Sequence, residues 1–219
     1  YSACNTFGEI WVARGLYTPG ITFSDTFTIP AGVALYGGFA ATETVRTQRD
    51  WAANVTVLSG DLGGDDRTDA DGIVTDTATI TGSNAYQVVL LLSIRETAPI
   101  TRATRLDGFT ITAGNATGPG YNRYGGGLFC HAYAAGSQCS PTLANVTFSG
   151  NQGSVGAGMA AFAEGGVSSP LLSGVTFRHN KAVVKSMGGG FAVLGMFTAA
   201  SPVLTNVTFY SNTAAIGGA

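Results

Sequence analysis

The chain has 219 residues, of which only 11% are charged, and its formal net charge is −2. This balance excludes a basic nucleic-acid-binding surface, and no apolar run reaches the roughly 18 residues that a membrane-spanning helix needs. Glycine is abundant, with 32 residues, but it does not recur at every third position as collagen requires.

The first hundred residues contain short strand patterns separated by turn residues. Apolar and polar residues alternate in some of these patterns, and β-branched residues cluster in others, as expected for strands. The segment 41–54 has helix-compatible residues and is predicted as a loop with a helical turn. Strands are predicted at 8–12, 27–30, 33–36, 55–58 and 86–94.

Three near-copies of a twelve-residue segment dominate the second half. They read SPTLANVTFSGN, SPLLSGVTFRHN and SPVLTNVTFYSN, and they begin at Ser140, Ser169 and Ser201. A more distant copy begins at Leu106. The copies start 29 and then 32 residues apart, and repetition at 20 to 50 residues indicates a stacked architecture.

Each copy alternates Leu, Val and Phe with polar residues, which is typical of short strands with one buried face. The third column holds only Gly or Asn, the residues that best tolerate positive φ. A left-handed corner between two short strands is therefore predicted there. The corner residues are Gly108, Asn145, Gly174 and Asn206.

The copies close with Asn151, Asn180 and Asn212, which are predicted as turn residues. Short strands, fixed corners and a period near 30 together predict a parallel β-helix, with Leu, Val and Phe inside and Thr outside. A helical solenoid is disfavoured, because the repeats are rich in Gly, Thr and Val.

The FxxN spacing, at 148–151, 177–180 and 209–212, is followed by the GGA cluster at 217–219. It resembles the repeats of chlamydial polymorphic outer membrane proteins, and the whole chain is similar to bacterial right-handed parallel β-helix repeat proteins. The resemblance implies a fold and not a chemistry, since that family shares a scaffold.

The predicted fold is therefore all-β, a single right-handed parallel β-helix of about seven or eight coils. It forms one domain over 1–219, with irregular coils at 1–100 and regular repeats at 101–219. The chain starts inside an apparent first coil and stops as a new glycine cluster begins. We therefore expect it to belong to a longer protein or to an assembly.

Cys130 and Cys139 bracket the loop CHAYAAGSQC. They are either two unrelated buried thiols or a disulfide that staples the loop. The disulfide is favoured, and it predicts an oxidising, extracellular setting. Cys4 is left over and either pairs with a residue upstream, pairs between subunits or stays free.

The segment 59–76 contains six of the 13 acidic residues. Clustered carboxylates suit calcium, but the segment is not an EF-hand, because Arg67 and Ala78 stand where that motif has acids. The alternative is a solvated loop in which Asp and Gly form turns. The predicted calcium ligands are Asp61, Asp65, Asp66, Asp69 and Asp71.

The sequence identifies no catalytic residues. Glycosidic cleavage needs two carboxylates at a fixed separation, yet Asp107 is the only acid in the strand register of the repeats. His131 lies in the cysteine loop and His179 at a tolerant turn, so neither supports a catalytic triad.

Aromatic residues cluster around the cysteine loop. Tyr121, Tyr124 and Tyr133 lie close in sequence, and they form either a platform for a sugar or ordinary loop packing. The sequence thus predicts a secreted or cell-surface structural or adhesive module that associates with like subunits or flanking repeats into a filament or surface layer. The alternative is a polysaccharide lyase, a glycosidase or a sugar-binding module.

Overall fold

The computed structural model describes residues 8–95 and 97–218, so Cys4 lies outside the described residues. The described chain contains strands and three short 3₁₀ helices, at Arg46–Gln48, Thr77–Thr79 and Gly120–Arg123, and no α-helix. Strands β1 to β20 span, in order, Glu9–Ala13, Gly15–Tyr17, Phe27–Thr28, Ala34–Phe39, Thr56–Ser59, Val89–Ser93, Arg105–Asp107, Thr110–Thr112, Asn115–Ala116, Leu128–Tyr133, Thr142–Ala144, Thr147–Ser149, Gln152–Val155, Met159–Glu164, Leu171–Ser173, Thr176–Arg178, Lys181–Met187, Phe191–Met196, Val203–Thr205 and Thr208–Tyr210.

The strands form four sheets, and all strand pairs within them are parallel. Sheet A has the order β1-β4-β7-β11-β15-β19, and sheet B has β2-β5-β8-β12-β16-β20. Sheet C has the order β3-β6-β10-β14-β18, and sheet D has β9-β13-β17. Neighbours in each sheet come from successive repeats, so the repeats stack in register. The prediction of an all-β, parallel architecture is confirmed.

The described chain makes six layers, since sheets A and B each hold six strands. This is fewer than the seven or eight coils obtained from dividing the length by the period. The difference lies in two long loops, 40–55 and 60–88, which add residues to the second layer without adding a strand to sheet A or sheet B. The first of them carries the predicted helical turn as a 3₁₀ helix.

The apolar columns of the repeat form the core. Leu106, Leu143 and Leu172 pair in register and are fully buried. Phe148 and Phe177 stack with ring centroids 4.8 Å apart in the neighbouring column. Burying one such side chain contributes about 1.5 to 3 kcal/mol relative to exposure, so the repeated columns supply a large part of the stability.

The predicted corners are confirmed. Gly108, Asn145, Gly174 and Asn206 have φ values of 81°, 51°, 63° and 52°. A left-handed residue between two short strands turns the chain from sheet A to sheet B. Because Gly and Asn tolerate this conformation, their column marks the corner in the sequence.

The closing asparagines are not the turn residues themselves. The left-handed φ occurs one position earlier, at Gly150, His179 and Ser211. Asn151 and Asn180 are instead fully buried. In the more distant copy the equivalent position is Gly114, whose N–H donates to Asn151 Oδ1. Asn115 belongs to the next column, because it pairs in register with Gln152.

The buried asparagines form a hydrogen-bonded ladder along the stack. Asn151 Nδ2 donates to Asn180 Oδ1 at 3.0 Å, and Asn180 Nδ2 donates to Asn212 Oδ1 at 2.9 Å. The same amide nitrogens also donate to the main-chain carbonyls of Ile111 and Phe148. Buried polar groups need such partners, so the column is asparagine for a structural reason.

Candidate functional site: an aromatic cleft on sheet C

The site is built on the outer face of strand β10. Successive side chains of a strand point to opposite faces, and Leu128 and Cys130 are buried in the core. Phe129, His131 and Tyr133 therefore project outward. His131 pairs in the strand register with Leu92 of β6 on one side and with Phe162 of β14 on the other.

The 3₁₀ helix at Gly120–Arg123 and the residue after it cover this face. The Tyr121 ring lies 4.9 Å from that of His131, and the Tyr124 ring lies 5.4 Å from that of Phe129. Gln87 Nε2 fixes the loop by donating to the carbonyls of Tyr121 and Tyr124, at 3.0 and 3.2 Å. The aromatic loop is thus held rigidly against the sheet.

The structure brings the three predicted tyrosines together. The Tyr121 ring centroid is 6.3 Å from those of both Tyr124 and Tyr133. Tyr124 is packed between Phe129 and Phe162, as ordinary loop packing predicts. Tyr121 and Tyr133 remain 46% and 45% exposed, so they are available to a ligand.

An apolar cleft of about 200 Å³ opens between the loop and the sheet. Among the residues that the structure describes, no charged side chain lines it. The lining residues are Gln87, Leu90, Leu92, Ile94, Tyr121, Asn122, Phe129, His131 and Tyr133.

A single carboxylate holds the polar groups behind the cleft. The Tyr121 hydroxyl donates to Glu164 Oε2 at 2.9 Å, and His131 Nε2 lies 2.9 Å from the same oxygen. A carboxylate only accepts hydrogen bonds, so His131 Nε2 carries a hydrogen. Glu164 therefore orients both rings.

The titration behaviour of these groups follows from their surroundings. Burial lowers the pKa of His131 below its ordinary value, and the hydrogen bond to Glu164 only partly offsets this. Desolvation, followed by the hydrogen bond to Glu164, raises the pKa of Tyr121 to about 12. At neutral pH the imidazole is uncharged and the phenol is protonated.

The groups that line the cleft suit the binding of a ligand. A glycosidase needs two carboxylates that flank the scissile bond, and within the described part of the chain no acid lines the cleft. Glu164 lies behind the cleft and already accepts from Tyr121 and His131. The cleft offers ring faces, aliphatic surface and hydroxyl groups instead.

The predicted acidic site is only partly assembled. The carboxylates of Asp61, Asp65 and Asp66 lie within 4.8 Å of one another, whereas Asp69 and Asp71 do not join them. Desolvation, with repulsion from Asp61 and Asp65, raises the pKa of Asp66 above its ordinary value.

The acidic side chains also stabilise their own loop. Asp61 Oδ1 accepts the N–H of Gly64 at 2.8 Å, and Asp66 Oδ1 accepts that of Thr81 at 2.7 Å. Asp69 Oδ1 accepts from Asp71. These are the turn contacts of the alternative interpretation, and calcium binding stays a prediction.

Cys130 and Cys139 form a disulfide between buried residues, with their Cα atoms 5.8 Å apart. Cys130 lies between Phe129 and His131 in the chain. The disulfide therefore ties the cleft-bearing strand to the end of the loop that follows it.

Sequence reasoning missed several residues of the cleft. His131 looked like an isolated loop histidine, but it is only 2% exposed and lies in strand β10. The alternation of Phe129, His131 and Tyr133 was the available signal, since alternate residues of a strand share a face. Glu164 had no such signal, because it is 43 residues from Tyr121.

Comparison of the sequence with protein-family models, curated proteins and solved structures finds no match. The resemblance to chlamydial repeats therefore rests on the repeat residues alone. Within the described residues, no helix has the length and apolar character needed to cross a membrane.

Proposed function

We propose that the chain is an adhesive module that binds a saccharide in the aromatic cleft, carried on a single right-handed parallel β-helix. The four sheets are parallel, and in each of them neighbouring strands come from successive layers, which supports the β-helix. Parallel crossover connections are right-handed in about 98% of cases, which supports the handedness.

One observation carries the binding proposal: two half-exposed tyrosine rings border an apolar cleft that no described charged residue lines. One face of a pyranose ring presents C–H groups, which pack on aromatic faces, while its hydroxyls reach polar groups at the rim. Tyr121, Tyr133 and Asn122 supply both kinds of contact.

A location outside the cell is part of the proposal. The disulfide between Cys130 and Cys139 supports it, because disulfides persist in oxidising compartments. The resemblance of its repeats to those of chlamydial polymorphic outer membrane proteins agrees with the same location.

A glycan array followed by calorimetry tests the function. We expect the protein to bind a subset of oligosaccharides, and Tyr133→Ala to weaken that binding at least tenfold while leaving folding intact. Tyr210→Ala is the matched control, since Tyr210 on β20 is 44% exposed and does not line the cleft. Absence of any saccharide binding, or equal weakening by Tyr210→Ala, contradicts the proposal.

Association with like subunits is a second candidate. Strands β18, β19 and β20 each have one edge that pairs with no described strand, and Val203 and Leu204 are about half exposed there. Such edges invite pairing with another chain. Sedimentation and electron microscopy should show oligomers or fibres that Leu204→Lys reduces, whereas a monomer at all concentrations contradicts this candidate.

A further inference from the structure

The lining of the cleft indicates which saccharide it binds. We infer that the ligand is an uncharged sugar that carries a methyl-bearing substituent, such as an N-acetyl group or a 6-deoxy carbon. The inference rests on the proposed function of the cleft and concerns the class of sugar only. It follows from the charge, the aliphatic floor, the size and the hydrogen-bonding groups of the site.

The electrostatics disfavour an acidic sugar. No described cation lines the cleft, and the Glu164 carboxylate accepts the hydrogen of the Tyr121 hydroxyl at 2.9 Å. The neighbouring Arg123 guanidinium lies over the Tyr124 ring, 5.5 Å from its centroid. A uronate or sulfated sugar would lose hydration without gaining a partner, which is costly for a charged group.

The floor of the cleft selects for an apolar group. It is formed by Leu90, Leu92 and Ile94 beside Phe129, and Leu92 is 42% exposed. A hydroxyl placed against this surface loses its water without a hydrogen bond. A methyl group in the same place gains from leaving water.

The polar atoms at the rim match a neutral amide or hydroxyl. The Tyr121 hydroxyl gives its hydrogen to Glu164, so its oxygen remains an acceptor. Gln87 uses its Nε2 hydrogens on two carbonyls, which leaves Oε1 as the acceptor on that side chain. An N-acetyl N–H or a sugar hydroxyl can donate to these oxygens.

The size of the cleft limits the number of sugar rings that it can hold. Its volume of about 200 Å³ is smaller than the roughly 300 to 1,000 Å³ that accommodates a drug-sized ligand. One sugar ring with its substituent fills such a space. Longer chains would contact the protein outside the cleft.

Titration calorimetry with matched trisaccharides tests the inference. The probes are β-1,4-linked trimers of N-acetylglucosamine, glucose and glucuronate, together with a methyl fucoside and methyl galactoside pair for the 6-deoxy case. Each buried methyl group is expected to increase affinity about fourfold. The N-acetylated or 6-deoxy member should bind at least fourfold more tightly than its plain counterpart, and the glucuronate trimer should bind most weakly.

Substituting a residue of the cleft floor tests the preference for one class of sugar separately from sugar binding itself. Leu92→Thr should abolish the preference for the methyl-bearing sugar and leave affinity for the plain sugar within twofold, whereas Tyr133→Ala should weaken both. Val193→Thr is the matched control, because Val193 is 43% exposed on β18 and lies outside the cleft. Circular dichroism verifies that each variant is folded.

The possible failures are distinguishable. If plain or acidic sugars bind as tightly as the methyl-bearing ones and Tyr133→Ala still abolishes binding, the inference is wrong and the proposed function stands. If no saccharide binds, the proposed function fails and the inference fails with it. An equal effect of Leu92→Thr on all sugars also overturns the inference.

Discussion

Asp107 shows how one outward residue of the repeat becomes a buried centre of charge. Arg49 Nη2 donates to its Oδ1 at 2.6 Å, and Arg105 Nη2 donates to its Oδ2 at 2.7 Å. Asn145 Nδ2 also donates to Oδ1, at 2.9 Å. Desolvation alone raises the pKa of this carboxyl, but these hydrogen bonds outweigh it and hold the pKa below its ordinary value.

Asp107→Asn should destabilise the protein by about 3 to 5 kcal/mol, because it leaves the Arg49 guanidinium buried without a counter-charge. Chemical denaturation measures the change. Arg46→Ala is the control, since the side chains of Arg46 and its partner Glu9 are 42% and 44% exposed, and ion pairs at the surface contribute less than about 1 kcal/mol. Equal effects of the two substitutions would show that the buried network does not stabilise the fold.

The same carboxyl predicts part of the acid denaturation. A lowered pKa in the folded state gives stability that is present above the ordinary pKa of aspartate and is lost as the pH falls through the folded-state pKa. The unfolding free energy of Asp107→Asn should therefore decline less below pH 4 than that of the unchanged protein. If the unfolding free energies of the two proteins decline equally below pH 4, this assignment is contradicted.

His131 predicts a further loss of stability on acidification, in a pH range nearer neutrality. Its pKa is lowered in the folded state, so the unfolded chain binds the proton first and stability falls as the pH drops from about 6.5. The ionisable groups that face it are Glu164, Tyr121 and Tyr133. Melting temperatures between pH 5 and 8 should vary less in His131→Phe, and an unchanged pH profile would refute this assignment.

At the scale of elements, the asparagine ladder joins consecutive layers through side chains as well as strands. Asn180 accepts from both the N–H and the Nδ2 of Asn151, and it donates to Asn212 and to the Phe148 carbonyl. One substitution therefore affects three layers.

Asn180→Ala should cost at least about 3 kcal/mol in unfolding free energy, because several buried groups lose partners at about 1 to 3 kcal/mol each. Asn206→Gly is the control, since glycine also adopts the left-handed corner, and it should be nearly neutral. A loss below 1 kcal/mol for Asn180→Ala would mean that water replaces the ladder.

The repeat columns could be predicted from the sequence, and the contacts of the long loops could not. Leu143, Phe148 and Asn145 recur at fixed spacing, so period and residue type together identify core and corner. One partner of Asp107, Arg49, lies 58 residues away on an irregular loop. No local pattern encodes that distance, and for the same reason the sequence indicated the tyrosines of the cleft but not Glu164.

At the scale of the whole molecule, the disulfide constrains the unfolded chain. It links residues nine positions apart, and closing a loop of that size stabilises a protein by about 2 to 3 kcal/mol. For a protein of this length, that corresponds to a change in melting temperature of roughly 4 to 12 °C.

The double substitution Cys130→Ala and Cys139→Ala should lower the melting temperature by that amount and should weaken saccharide binding, because β10 carries the cleft. Reducing agent should lower the melting temperature of the unchanged protein and not that of the double variant. A drop of the same size in both would assign the effect of the reductant to something other than this bond.

The register of the asparagine column also constrains how such a gene can change in length. Gln152 pairs with Lys181 in the next layer, so removing residues 152–180 joins Asn151 to Lys181 with every following strand in its original register. A deletion one residue shorter would leave an extra residue that a bulge must absorb, as β17 absorbs three between Ala182 and Met187 where it pairs with β13. Recombination between repeats can therefore add or remove complete layers, while small insertions and deletions are tolerated where a bulge such as that of β17, or a loop such as 40–55 or 60–88, absorbs them.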